Sequence, residues 1–130
     1  MGKWFVLITG INQEFLAQKH LSIAGYLTYC PIGRKIVSHA RRKEMRIFPV
    51  FSRYLFIKPN EDGFDAIHEV KGIIGIIRDD DGPIGIQQPI IESLMDREKN
   101  GDFDILPPPT IKKHSWQRSF TALKQLLHNA

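Results

Sequence analysis

The chain has 130 residues, 42% hydrophobic and 25% charged, a balance that fits one compact domain with room for a tail and excludes a low-complexity or fibrous chain. A single cysteine, Cys30, excludes an internal disulfide, and with no second Cys or nearby His it offers no zinc pattern. The formal charge of +4 comes wholly from Lys112, Lys113, Arg118 and Lys124, since removing those four from 18 Lys+Arg leaves 14 against 14 Asp+Glu.

The opening MGKWFVLITGI has no A-x-A-like cleavage site, and Asn12-Gln13-Glu14 interrupts it too soon for a membrane span. Val6 breaks a myristoylation pattern. These features predict a cytoplasmic protein without a membrane partner. Residues 4–8, WFVLI, are apolar at every position and stop at Thr9-Gly10, which predicts a central strand. Asn12 is a candidate cap for a helix running to about Gly25, with Ala17, Leu21 and Ala24 facing the sheet and Lys19 and His20 beside that stripe. YLTYCP at 26–31 reads as a second strand.

Residues 33–46 form a polar, basic excursion, an extended ribbon or loop. The wider segment 34–53 carries Arg34, Lys35, Arg41, Arg42, Lys43, Arg46 and Arg53 against Glu44 alone, a local basic patch in a neutral body. Residues 54–57, YLFI, predict the next strand. Pro59-Asn60 opens a short helix carrying Phe64, Ile67 and Val70 and ending near Gly72. Strands at 73–78 and 84–86 flank an Asp-Asp-Asp-Gly-Pro turn, and Pro89 begins a helix to about Asn100 with Ile91, Leu94 and Met95 on one side. The order strand, helix, strand, strand, helix, strand predicts an α+β plait, a ferredoxin-like split βαβ antiparallel sheet flanked by helices. The expected divisions are a domain over 1–104, a Pro-rich linker over 105–114 containing Pro107-Pro108-Pro109, and an amphipathic helical tail over 115–130 striped by Trp116, Phe120, Leu123 and Leu127.

No catalytic or metal constellation is evident, so neither an enzyme nor a cofactor is expected. Asp79, Asp80 and Asp81 are adjacent in a turn, where their side chains diverge and suit a solvated tip better than a cation. His20, His39, His68, His114 and His128 form no i, i+4 pair with a third ligand, and no dinucleotide or P-loop glycine motif occurs.

The informative feature is the doubling of apolar faces. Tyr54 and Phe56 share one side of their strand, Leu55 and Ile57 the other, and Trp4, Val6 and Ile8 likewise oppose Phe5 and Leu7. The plait's helices cover one face. The second is either covered by the third helix or the tail, or left as a partner surface.

These residues also carry a resemblance. Trp4, Pro31, the run PVFSRYLF at 49–56 and the later GIIGIIR at 72–78 resemble the N-terminal domain of the NusG family of transcription elongation factors over about residues 3–100. The family patterns are P-L-F-P-x-Y-[LV]-F and R-G-V-x-x-[FV]-[VI]-R, and the early spacing is similar to the specialised RfaH-like branch. The resemblance implies an antitermination or elongation factor whose apolar face grips the clamp helices of the largest RNA polymerase subunit, here through Val6, Ile8, Phe51, Tyr54 and Phe56. It implies contact with upstream or non-template DNA through His20, Arg41, Arg42, Lys43 and Lys71. Departures are Ser52 at the motif's second proline, Gly10 and Ile23 at basic DNA-contact positions, and Asp65 where the branch has hydroxyl side chains. The 21 residues after Pro109 are too few for the family's five-stranded KOW barrel, so its contacts with ribosome or termination factor are not expected. A free-standing RNA- or DNA-binding plait, with Tyr54 and Phe56 stacking on bases, is the alternative. A small hydrolase is a third reading.

Overall fold

The computed structural model describes residues 3–60, 63–64 and 66–105. The expectations for the linker beyond Ile105, for the helical tail and for Asp65 lie outside those residues. The elements are β1 (Lys3–Thr9), α1 (Glu14–Ile23), β2 (Leu27–Tyr29), β3 (Ile32–His39), β4 (Arg42–Pro49), β5 (Tyr54–Lys58), a 3-10 turn (Ile67–Glu69), β6 (Ile73–Ile76), β7 (Arg78–Asp79), β8 (Gly82–Pro83), β9 (Gly85–Gln87) and α2 (Gln88–Lys99).

The main sheet has the order β2-β5-β1-β6, every neighbouring pair antiparallel. β1 and β2, joined through α1, therefore run parallel with β5 between them, which is the split βαβ order of a plait. On the far edge of β1, β6 pairs with residues 7–9 and β9 with residues 3–5. Ile77 N–H donates to Val6 C=O at 2.8 Å between them, so β6 and β9 act as one interrupted edge strand. The β7–β8 turn is pushed out of that edge, and at its tip Asp81 N–H donates to Asp79 Oδ1 at 2.8 Å, an Asx-type turn.

Two cores sit on opposite sides of this sheet. On one side Leu7, Leu55 and Ile57 pack under Ala17 and Leu21 of α1, with Tyr26, Cys30, Ile67 and Ile76. On the other, Trp4, Val6 and Phe56 pack under Ile91 and Leu94 of α2, with Tyr29, Val50, Phe51, Ile86 and Phe103. Each fully buried large side chain contributes about 1.5 to 3 kcal/mol of transfer free energy. Trp4 also donates its indole N–H to Gln88 Oε1 at 2.6 Å, which ties the first strand to the start of α2. The unbroken apolar runs in β1 and β5 thus reflect strands covered on both faces, and the helix that covers the second face is α2.

Several local expectations are corrected. Asn12 does not cap α1: it takes a left-handed φ of 58°, and the helix starts from Gln13 with no side-chain cap. Its buried first-turn residue, Glu14, instead accepts the Arg53 backbone N–H at 2.8 Å and holds Arg53 at φ 69°. Ala24 is the exposed C-terminal flanking residue rather than a core contact. Gly25 does end the helix as expected, at φ 93°, with Gly25 N–H donating to Ser22 C=O and Tyr26 N–H to Leu21 C=O. The helix predicted after Pro59-Asn60 is reduced, among the described residues, to the turn at Ile67–Glu69. Ile67 alone fills the core there, with Phe64 and Val70 packed beside it.

Candidate functional site

The basic excursion is a two-stranded ribbon, β3 against β4, whose outer part extends beyond the main sheet. Ala40 and Arg41 form its turn, both with positive φ (49° and 68°), the combination that matches the right-handed twist of a two-residue hairpin. Register then decides which side each residue faces. Lys35 lies opposite Arg46 and His39 opposite Arg42, sharing one face with Val37, Glu44 and Phe48. Ile36 lies opposite Met45, Arg34 opposite Ile47 and Ser38 opposite Lys43 on the other face. The ribbon is therefore two-sided: cationic on one face, largely aliphatic on the other, where Met45 and Ile47 are 56% and 57% exposed.

This sorts the predicted nucleic-acid residues. Arg41 is exposed at the tip, and Arg42 is exposed on the cationic face, while Lys43 belongs to the aliphatic face. Lys35, His39 and Arg46 join Arg42, an assignment the run Arg-Arg-Lys by itself did not suggest. The signal was present as period-two alternation once the turn is placed at Ala40-Arg41. On that face Arg46 pairs with Glu44 at 3.3 Å, and Lys35 Nζ stands 5.6 Å from the Phe48 ring centroid. His20 and Lys71 belong elsewhere. His20 is partly exposed on the flank of α1 away from Phe15 and Gln18, the α1 residues that line a cavity with Ile32 and Ile47 at the ribbon base. Lys71 is exposed and precedes Gly72, whose φ of 96° lets it pack against Ala17.

The predicted polymerase-contact residues divide as well. Val6, Phe51 and Phe56 are buried, at 0%, 1% and 0% exposure, and Phe51 meets Phe56 edge-on at 6.0 Å. Of the two alternatives for the second face, cover by the third predicted helix holds at Phe56, where Ile91 and Leu94 of α2 pack. Ile8 and Tyr54, opposite each other in the β1–β5 register, remain half-buried where the cluster ends, with Gly75 of β6 beside Ile8. An added methyl at Gly75 would meet nothing, so that spot is a shallow, open apolar floor. Because Phe56 is interior, the sheet does not offer the paired aromatics that base stacking requires, and the RNA-recognition alternative loses its geometric basis.

The base of the ribbon holds the strongest electrostatics. Glu98 Oε1 accepts Ile32 N–H at 2.8 Å and Tyr29 O–H at 3.1 Å. Burial, and then the Glu98 charge, push the Tyr29 phenol far above its ordinary range. Cys30 next to it is pushed up to about 12 by burial, with Glu14 and Glu98 adding to the effect. Two outcomes are expected. A thiol reagent at pH 8 should label Cys30 only as fast as the fold opens, and denaturant should release the reaction. Because the folded thiol binds its proton more tightly than the unfolded one, at about 8.5, this contribution to stability is complete below that pH and is lost as pH rises toward 12. Urea melts from pH 8 to 11 check the direction. Gly33 is the third fixed point: a Cβ there would press on the Phe103 carbonyl and the Phe48 ring. Gly33→Ala is expected to destabilise the fold by about 1 to 3 kcal/mol, measured by urea unfolding.

The plait's first strand ends at a half-covered apolar corner, and a cationic ribbon is inserted between its second and third sheet strands. Residues 2–95 match the family model described as "NusG: Transcription termination factor nusG". The chain belongs to the NusG family of transcription factors, whose members bind RNA polymerase and which is not an enzyme family. No curated protein matches the chain significantly. No helix among the described residues is long and apolar enough to cross a membrane.

Proposed function

We propose that this protein is a cytoplasmic elongation or antitermination factor of the RfaH-like kind that rests its apolar corner on the polymerase clamp helices and lays its ribbon along upstream or non-template DNA. Ile8 and Tyr54 make the clamp contact, and Val6, Phe51 and Phe56 lie beneath them as the packed support that keeps the two side chains in place. The observation that carries the nucleic-acid half is the gathering of basic side chains on one face. Lys35 faces Arg46, and Arg42 lies opposite His39, with Glu44 as the only carboxylate on that face of the ribbon. Like charges directly opposite, as Lys35 and Arg46 are, destabilise an isolated hairpin. A polyanion laid across them removes the repulsion and gains the attraction, without reading sequence. Arg41 reaches from the tip, Lys43 and Lys71 add positive charge on other sides, and His20 adds a hydrogen-bonding imidazole.

The test is capture of the full chain by an immobilised clamp-helix fragment of the largest polymerase subunit. Ile8→Ala and Tyr54→Ala should each weaken capture while leaving the urea midpoint close to the parent's. Unchanged capture by both variants would sink the clamp reading.

A further inference from the structure

The ribbon has only two covalent connections to the sheet, residues 29–32 and 49–54, and its first three residues are gripped from one direction. Glu98 of α2 accepts Ile32 N–H at 2.8 Å. Asp104, five residues past the end of α2, accepts Arg34 N–H through Oδ1 at 2.8 Å and the Arg34 guanidinium through Oδ2 at 2.6 and 3.0 Å. Ile105 N–H returns to Arg34 C=O at 2.8 Å, in a parallel bridge beside Lys35. Between them Gly33 lies against the Phe103 carbonyl, with no room for a side chain.

The segment that delivers these groups is itself fixed. α2 ends in a left-handed turn at Gly101 (φ 78°), where Gly101 N–H donates to Glu98 C=O and Asp102 N–H to Arg97 C=O. That turn sends the chain back so that Phe103, fully buried, anchors it in the core shared with Trp4 and Phe56. Residues 32 and 34 present both main-chain groups to the outer edge of β3, and the two carboxylates occupy that edge where another strand would otherwise pair. Farther out, among the described residues, no hydrogen bond joins residues 36–47 to the rest of the domain.

We propose that Glu98 and Asp104 are positioning residues that set the attitude of the ribbon relative to the sheet, so that α2, which also packs the core beneath Ile8 and Tyr54, holds the clamp-binding corner and the cationic face in one geometry. This rests on the nucleic-acid reading above for the purpose of the ribbon, though not for its mechanics. A ribbon that keeps its docking attitude only about one tenth of the time loses about tenfold in affinity for its ligand. The number of phosphates it neutralises is unchanged, so the salt slope stays the same.

The experiment is a distance distribution between spin labels at Ser38→Cys on the ribbon and Lys19→Cys on α1, in the full chain with Cys30→Ala. Affinity for a 20-base-pair duplex is measured alongside, at several salt concentrations. Glu98→Ala with Asp104→Ala should broaden the distribution and weaken duplex binding about tenfold at unchanged slope, whereas Asp96→Ala, an exposed carboxylate on the same helix, should do neither. If the double variant does not fold, Arg34→Ala keeps the main-chain bonds, removes the bidentate pair and should broaden the distribution in part. An unchanged width in the folded double variant, or in Arg34→Ala, overturns the proposal. Tighter binding with a steeper slope overturns it too, because the carboxylates would then act by neutralising Arg34 rather than by setting attitude. A parent chain that binds no duplex, yet broadens on substitution, sinks the nucleic-acid reading and leaves the positioning role standing.

Discussion

Phe56→Ala is expected to cost the fold about 3 to 5 kcal/mol, a large share of a small domain's stability. The ring is fully buried between Phe51, stacked Tyr29 and the inner side of α2, and alanine would leave a cavity that the sheet cannot close. Tyr54→Ala two residues earlier should cost far less, because its side chain is half-exposed at the cluster's end. The pair therefore separates support from contact. Urea unfolding followed by circular dichroism gives the stability difference, and clamp-fragment capture at equal folded fraction gives the binding difference. Phe56→Ala should lose capture only in proportion to its unfolded fraction. A stable Phe56→Ala protein with lost capture would return Phe56 to the binding surface.

Charge reversal on the ribbon should depend on which face is changed. If Lys35, Arg42 and Arg46 each neutralise one phosphate, affinity for duplex DNA should fall about fortyfold between 50 and 200 mM salt, from a slope of about −0.9 per phosphate. Arg42→Glu with Arg46→Glu should reduce that slope by about 1.8 and weaken binding for any sequence alike. Lys43→Glu, on the aliphatic face, should change the slope by much less although it adjoins Arg42 in the chain. Electrophoretic mobility or anisotropy titrations at four salt concentrations are sufficient. Equal effects from Lys43→Glu and Arg42→Glu would show that facing does not decide contact.

Much of this architecture was legible in the residues. Continuous apolar runs at 4–8 and 54–57 marked strands apolar on both faces, leaving open whether a helix or a partner covers the second, Gly25 marked a helix end, and Pro89 lay one residue inside the start of α2. These features depend on local conformational preference and on side-chain period, which a single strand or helix expresses by itself. The family motif at 49–56 pointed to the apolar corner but could not divide it into buried and half-buried side chains. That division depends on where α2 lands, a property of the packed sheet.

The sequence by itself determined the plait order, the basic excursion and the doubled apolar strands, because period and turn chemistry are local. Only the tertiary structure decided that α2 covers Phe56 and leaves Tyr54 half-open, and that Arg42 and Lys43 face apart once the turn fixes the register. It also decided that Glu98 and Asp104, 66 and 70 residues from their partners Ile32 and Arg34, hold the ribbon. Contacts across such separations follow from the closure of the sheet and the helix packing on it, and no short window of sequence encodes them.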